Sequence, residues 1–230
     1  MKTIGLIGGI SWESTAVYYR LLNEMVRERL GGMHSAECLL YSFEFAEVER
    51  RQREGDWDTL TQQMIDVARR LEKGGAACLV ICANTMHRMA EEVQAAVDIP
   101  LLHIVDVTAE AIKAQNLRNV GLLGTIYTME QDFYKARLAA RHGLNVCTPD
   151  AEERQIVNRI IYDELVQGVV KPESRRTYLD IISHLKNDGS EGVIFGCTEI
   201  ELLLTPEDSP IPAFDTTYLH TKAAVDFALA

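Results

Sequence analysis

The chain has 230 residues, 47% of them hydrophobic, which is enough for one large domain or two small ones with a substantial core. A formal net charge of −11 argues against nucleic acid or an anionic membrane surface as the main partner. No apolar run approaches the roughly 20 residues of a membrane span, and no N-terminal stretch is typical of a secretory signal, so we expect a cytoplasmic protein.

Strand-like apolar runs alternate with helix-like periodic runs through the first half of the chain. This alternation predicts a parallel sheet with helices on both faces. Strands are predicted at 3–9, 39–45, 77–83 and 100–105, and helices at 12–30, 57–73 and about 86–97.

The second half of the chain repeats the first. "IGLIGG" (4–9) matches "VGLLGT" (120–125), and "LVICANT" (79–85) matches "VIFGCTE" (193–199) at nearly the same offset. A third match pairs "IPLLHIVD" (99–106) with "IPAFD" (211–215). An internal duplication explains three ordered matches.

The duplication predicts an α/β protein with two pseudo-symmetric lobes, each a parallel-sheet sandwich, and an active-site cleft between the lobes. We place lobe 1 at residues 1–98 plus 212–230 and lobe 2 at 99–211. The final helix, 216–229, is expected to return to the first lobe.

The five cysteines show no spacing typical of a zinc site, so we expect free thiols and no metal. The repeat places Ala83 opposite Cys197, each at the carboxyl end of a central strand, where open α/β sheets bind ligands. At such a tip, a helix N-terminus and backbone N–H groups would lower the pKa of the Cys197 thiol. The alternative is a buried structural cysteine. The cysteines are Cys38, Cys78, Cys82, Cys147 and Cys197.

Polar residues follow several of the predicted strands. Asn84 and Thr85 suit a helix N-cap, whose free N–H groups bind carboxylates, although simple capping is equally compatible. "GLLGTIYT" (121–128) is typical of a small-anion cradle. "GLIGGIS" (5–11) lacks the G-x-G-x-x-G spacing of a dinucleotide site, and we reject that function. His87 and His103 are interpreted as structural residues.

Four stretches together resemble the cofactor-independent aspartate/glutamate racemase family, most closely its enterobacterial L-aspartate/glutamate-specific or broad-specificity type. They are "MKTIGLIGG", "NTMH", "GLLGT" and "GCTEI", and they extend over essentially the whole chain. The resemblance implies racemisation of acidic amino acids without a cofactor, and a homodimer. In that family two residues flank the substrate Cα: one removes its proton and the other returns a proton on the opposite face.

The resemblance also implies roles for individual residues. The second-lobe catalytic residue is Cys197. The first-lobe position, cysteine in most members and threonine in the enterobacterial type, is Ala83 here. Lys171 matches a position that meets the side-chain carboxylate. The implied substrate-binding residues are Ser11, Gln52, Asn84, Thr85, Thr125, Thr128, Lys171 and Thr198.

Two positions depart from the family pattern. Ala83 has no ionisable or hydroxyl group, and Glu47 stands where the family usually has an arginine. Because strand side chains alternate between faces, Cys82 is not expected to replace a group at position 83. The sequence therefore predicts an amino-acid racemase weakened or inactivated by Ala83. A single-cysteine decarboxylase or isomerase of the same superfamily and a non-catalytic binder of acidic amino acids are the alternatives.

Overall fold

A computed structural model describes residues 1–230, and the chain divides into two compact units. Unit 1 comprises Met1–His103 with His220–Ala230, and unit 2 comprises Ile104–Leu219. The boundaries predicted from the sequence are 98/99 and 211/212, whereas those of the structure are 103/104 and 219/220. Residues 213–215 lie in unit 2 because they form a strand that pairs with a neighbouring strand of that unit.

Unit 1 contains a sheet of three parallel strands in the order β2–β1–β3. The strands are β1 (Ile4–Gly8), β2 (Cys38–Ser42) and β3 (Cys78–Ile81). A single parallel bridge between Leu79 and Leu101 extends the sheet beyond β3. The helices are α1 (Trp12–Leu30), α2 (Phe45–Glu54), α3 (Trp57–Lys73) and α4 (Ala90–Ala95), and a 3-10 helix at Thr85–Met89 precedes α4.

Unit 2 contains a sheet of four parallel strands in the order β5–β4–β6–β7. The strands are β4 (Asn119–Gly124), β5 (Asn145–Cys147), β6 (Gly192–Gly196) and β7 (Ala213–Asp215). The helices are α5 (Ile104–Ala114), α6 (Ile126–Glu130), α7 (Asp132–His142), α8 (Ala151–Asp163) and α9 (Pro172–Asn187). Short 3-10 helices lie at Leu165–Gln167, Ile200–Leu202 and Pro206–Asp208, and α10 (Thr216–Leu229) ends the fold.

The two units have the same strand order once the bridge at Leu101 is counted as the fourth position of the first sheet. In each unit the second strand in chain order pairs with one edge of the first strand. The third strand pairs with the opposite edge of the first strand, and the fourth position lies beyond the third. The predicted fold class, two α/β lobes each built on a parallel sheet, is confirmed. The shared order also agrees with the internal duplication inferred from the repeats.

Individual elements differ from their predicted bounds for local reasons. The predicted strand at 100–105 is wrong: Leu101 makes one bridge, and α5 begins at Ile104. The strand predicted over 39–45 ends at Ser42, since the Glu44 carboxylate caps α2 by accepting from the Ala46 and Glu47 N–H groups at 3.1 and 3.0 Å. The helices predicted at 12–30, 57–73 and 216–229 are confirmed.

Glycines allow close backbone approaches before two of the strand tips. Gly9 follows β1 with a φ of 78°, and a Cβ there would collide with the backbone of Phe43. Gly196 ends β6, where a Cβ would lie 2.8 Å from the Leu123 carbonyl oxygen on β4. These contacts bring β4 and β6 together just before Cys197.

His220 on α10 is a fully buried histidine in unit 1. Its Nε2–H donates to the Leu102 carbonyl at 2.7 Å, and the Tyr18 hydroxyl donates to its Nδ1 at 2.9 Å. Both ring nitrogens are therefore satisfied in the neutral form. Burial lowers the pKa of the imidazole to about 4.

No helix of the chain combines the length and apolar character that a membrane span requires.

We expect His220 to make the fold less stable in acid. Its pKa is lower in the folded than in the unfolded chain, so between about pH 6.5 and about pH 4 only the unfolded state takes up this proton. The free energy of unfolding should therefore fall by about 3 kcal/mol across that window. Urea unfolding of the parent and of His220→Gln at both ends of the window measures this loss.

The matched control is His34→Gln, because His34 is exposed. It should keep the parent's pH dependence, whereas His220→Gln should lose most of the His220 contribution. An unchanged pH dependence in His220→Gln would contradict the assignment, whatever the absolute stability of that variant.

Candidate active site

The strand tip after β3 carries Ala83, Asn84 and Thr85, all three buried. Side chains alternate along this segment, as expected for a strand. Leu79, Ile81 and Ala83 belong to one apolar cluster, and Cys78, Val80 and Cys82 belong to another. Cys82 therefore faces away from Ala83, and burial raises the pKa of its thiol well above the usual range. This agrees with the expectation that Cys82 does not replace a group at position 83.

Two side chains hold the backbone of this tip. Ser14 on α1 donates through Oγ to the Cys82 carbonyl at 3.2 Å. His87 donates through Nδ1–H to the Ala83 carbonyl at 2.9 Å. His87 thus has the structural role that the sequence predicts. The hydrogen bond from Ser14 to the Cys82 carbonyl has no counterpart among the predictions. Both bonds tie the backbone of the tip to neighbouring side chains.

Ser11 and Gln52 also lie in unit 1 and are buried. Ser11 is the N-cap residue of α1, and its carbonyl accepts from the Thr15 hydroxyl at 2.9 Å. Gln52 on α2 donates through Nε2 to the Met86 sulfur at 3.3 Å, which places its amide beside the turn that follows Ala83. Gln52 is therefore near the first strand tip, as its predicted role requires.

Thr125 and Thr128 lie at the carboxyl end of β4 in unit 2, and both are buried. Thr125 Oγ1 accepts from the Thr128 N–H at 3.3 Å, and the two hydroxyl oxygens are 3.2 Å apart. Hydroxyl groups can donate to a carboxylate and accept from an ammonium. The pair is therefore chemically suited to the predicted contact with an amino acid.

Cys197 directly follows β6 and is 7% exposed. Its thiol donates to Glu199 Oε2 at 2.9 Å, and the Thr198 hydroxyl donates to the same oxygen at 2.9 Å. Burial, the negative charge of Glu199 and this hydrogen bond raise the thiol pKa well above its usual range. The expectation of a lowered pKa is wrong because burial of the thiol, together with the neighbouring Glu199 carboxylate, disfavours the thiolate.

Glu199 is the main site residue that is absent from the sequence-based predictions. The residue is 4% exposed, and its carboxylate contacts both Cys197 and Thr198. The available signal was a carboxylate two residues after a cysteine at a buried strand tip, in "GCTE". Charged residues are rarely buried without a partner, so this pattern indicates an interaction with the thiol.

Lys171 immediately precedes α9, and its side chain is 52% exposed. Its ammonium pairs with the Glu164 carboxylate at 3.1 Å, so a ligand carboxylate would have to compete with Glu164. Its role as the contact for a distal carboxylate stays a prediction. Glu47, at the position where the family usually has an arginine, is exposed and pairs with Arg50 at 2.8 Å.

Ala83 and Cys197 occupy the same place in their respective units. Each follows the third strand of its sheet, β3 or β6. On β6, Val193, Phe195 and Cys197 belong to one cluster, as Leu79, Ile81 and Ala83 do on β3. The repeat-based alignment of positions 83 and 197 thus holds for strand, register and face.

No group of three or more His, Cys, Asp or Glu side chains is arranged to hold a metal ion.

Comparisons with known proteins agree along the whole length of the chain. A candidate Asp/Glu racemase from Yersinia pestis is 51% identical, with 100% of both chains covered and a TM-score of 0.93. PH1733 from Pyrococcus horikoshii OT3, an aspartate racemase homologue, is 36% identical, with 100% of both chains covered and a TM-score of 0.87.

A curated relative is more distant in sequence. The broad specificity amino-acid racemase RacX of Bacillus subtilis is 26% identical over 99% of this chain and 98% of its own. The family model for Asp/Glu/hydantoin racemases matches residues 7–224, which includes both strand tips and all the predicted site residues. The chain belongs to the Asp/Glu/hydantoin racemase family.

Proposed function

We propose that this protein removes and returns the Cα proton of an acidic amino acid without a cofactor, using the Cys197 thiol. The observation that carries the proposal is the equivalence of Ala83 and Cys197 at matching strand tips of two units with the same topology. A two-base racemase needs one group for each face of Cα. This chain has a duplicated position for such a group, with a thiol in one copy and a methyl group in the other.

The chemistry proposed for Cys197 is proton transfer at carbon. The thiolate takes the Cα proton, and negative charge develops on the α-carboxylate of the substrate. Without an electron sink, hydrogen-bond donors must stabilise that charge. Buried hydroxyl and amide side chains at the strand tips supply such donors: Asn84, Thr85, Thr125, Thr128 and Thr198.

The proposed substrate class is the acidic amino acids. Two relatives that are at least 36% identical are described as a candidate Asp/Glu racemase and as an aspartate racemase homologue. Lys171 supplies a half-exposed ammonium, and we propose that it exchanges Glu164 for the distal carboxylate of the substrate. Because the RacX relative is described as having broad specificity, amino acids other than aspartate and glutamate should also be tested as substrates.

Ala83 predicts hydrogen exchange without efficient inversion. A single thiolate takes the proton from one face of Cα and returns a solvent deuteron to that same face. Incubation in D₂O with each enantiomer of aspartate and glutamate should therefore label one enantiomer at Cα while its configuration is largely retained. Proton NMR measures the loss of the Cα–H signal, and chiral chromatography measures inversion.

The control for this experiment is Cys147→Ser, which removes an exposed thiol on β5 and should not change the exchange. Carbon dioxide release from a malonate-type acid, without amino-acid exchange, would favour a one-cysteine decarboxylase. Calorimetric binding of acidic amino acids without any exchange would favour a binding protein. Either result would overturn the proposed function.

A further inference from the structure

The buried carboxylate of Glu199 lies directly on the Cys197 thiol. One oxygen, Oε2, accepts both from the thiol and from the Thr198 hydroxyl, each at 2.9 Å. The hydroxyl fixes the position of that oxygen independently of the sulfur. Cys197 and Glu199 thus form a buried acid–base pair within one strand tip.

The groups around the pair disfavour a second negative charge. Tyr178 of α9 belongs to the same apolar cluster as Cys197, and the charges of Glu199 and Glu201 both oppose ionisation of the thiol. Loss of the thiol proton to solvent would leave charge on both the sulfur and Glu199. Transfer of that proton to Glu199 would keep the total charge of the pair at one.

We propose that Cys197 and Glu199 share one proton, and that Glu199 is the group that accepts it when the thiolate forms. The S–H bond breaks, its electron pair stays on sulfur, and an O–H bond forms at Oε2 of Glu199. Glu199 therefore acts through Cys197, as the acceptor of the thiol proton. This inference rests on the proposed function, because it assigns how the proposed base is generated.

The coupling of Glu199 to ionisation of the Cys197 thiol is testable without substrate. Iodoacetamide alkylates the thiolate, and mass spectrometry of the Cys197 peptide gives its alkylation rate at each pH. In Glu199→Gln, the midpoint of that pH profile should fall by about one pH unit or more, since the opposing charge is gone. Glu199→Asp withdraws the oxygen but keeps the charge, so its shift should be smaller and in the same direction.

The matched control is Glu201→Gln, which removes a nearby negative charge without removing the hydrogen bond to the thiol. Its midpoint should move less than that of Glu199→Gln. Circular dichroism establishes that each variant is folded, and Glu199→Asp provides the comparison if Glu199→Gln is not. Unchanged midpoints in the folded Glu199 variants would overturn the proposal.

The second arm measures Cα hydrogen exchange in D₂O. Parent exchange should change little around neutral pH, because the proton moves within the pair. Exchange by Glu199→Gln should instead rise with pH through the thiol ionisation, because the thiol proton can then leave only to solvent. An equally flat profile would overturn the inference. If the parent shows no exchange at all, the proposed function fails, whereas the alkylation result still decides whether Glu199 is coupled to ionisation of the thiol.

Discussion

Replacing Ala83 by cysteine or threonine is expected to raise the rate of racemisation by about 10²–10⁴-fold. In the proposed mechanism Cys197 serves one face of Cα, and the methyl group of Ala83 cannot exchange a proton on the other. A thiol or hydroxyl at position 83 supplies the missing group. Polarimetry or chiral chromatography with aspartate and glutamate measures the rate. Cysteine should restore more activity than threonine, because a thiol ionises far more readily than a hydroxyl.

The control for this substitution is Ala83→Val, which has the shape of threonine without its hydroxyl. It should add the same bulk to the apolar cluster and leave racemisation at the parent level. Cys82→Ala is a second control, since Cys82 packs in the other cluster. Equal racemisation by the parent, Ala83→Val and Ala83→Cys would show that position 83 does not carry the second group.

Replacing Cys197 by serine is expected to lower Cα hydrogen exchange by about 10²–10⁴-fold. The serine hydroxyl keeps a donor close to Glu199, so the fold should tolerate the change. It does not form an anion at accessible pH, so the proton-transfer group is lost. The same substitution in the Ala83→Cys background should remove the restored racemisation. NMR exchange in D₂O and chiral chromatography report the two activities separately.

Cys38→Ser is the matched control for this experiment, because it removes a thiol on β2 rather than at the tip after β6. It should retain both exchange in the parent background and racemisation in the Ala83→Cys background. Full exchange by Cys197→Ser would contradict the assigned base. Loss of activity in both cysteine variants would indicate a general effect on stability, which thermal unfolding would reveal.

Sequence periodicity was sufficient for three of the ten α-helices and for the parallel sheets. The helix at 12–30 is amphipathic and ends before two glycines, and the helix at 57–73 ends at Gly74, so local rules place their ends. The strand predicted at 100–105 is wrong because a short apolar run fits a buried strand and a helix start equally well. Tertiary pairing decided between them: only Leu101 pairs, and the helix begins at Ile104.

The candidate site divides in the same way between local and tertiary information. The repeat aligned Ala83 with Cys197, and strand alternation excluded Cys82, because both follow from chain order and the two-residue period of a strand. The protonation state of Cys197 could not be read in that way. The sequence suggested a lowered thiol pKa from a helix N-terminus, but the segment after Cys197 forms only a 3-10 helix at Ile200–Leu202.

The sequence by itself thus determined the duplicated α/β fold, the family and the two matching strand tips, since periodicity, repeats and motifs are properties of the chain order. The tertiary structure alone decided the electrostatics of those tips. It buried the Glu199 carboxylate against the Cys197 thiol and paired Lys171 with Glu164. The energy of a charge depends on its burial and on the distances to its partners, and packing sets both.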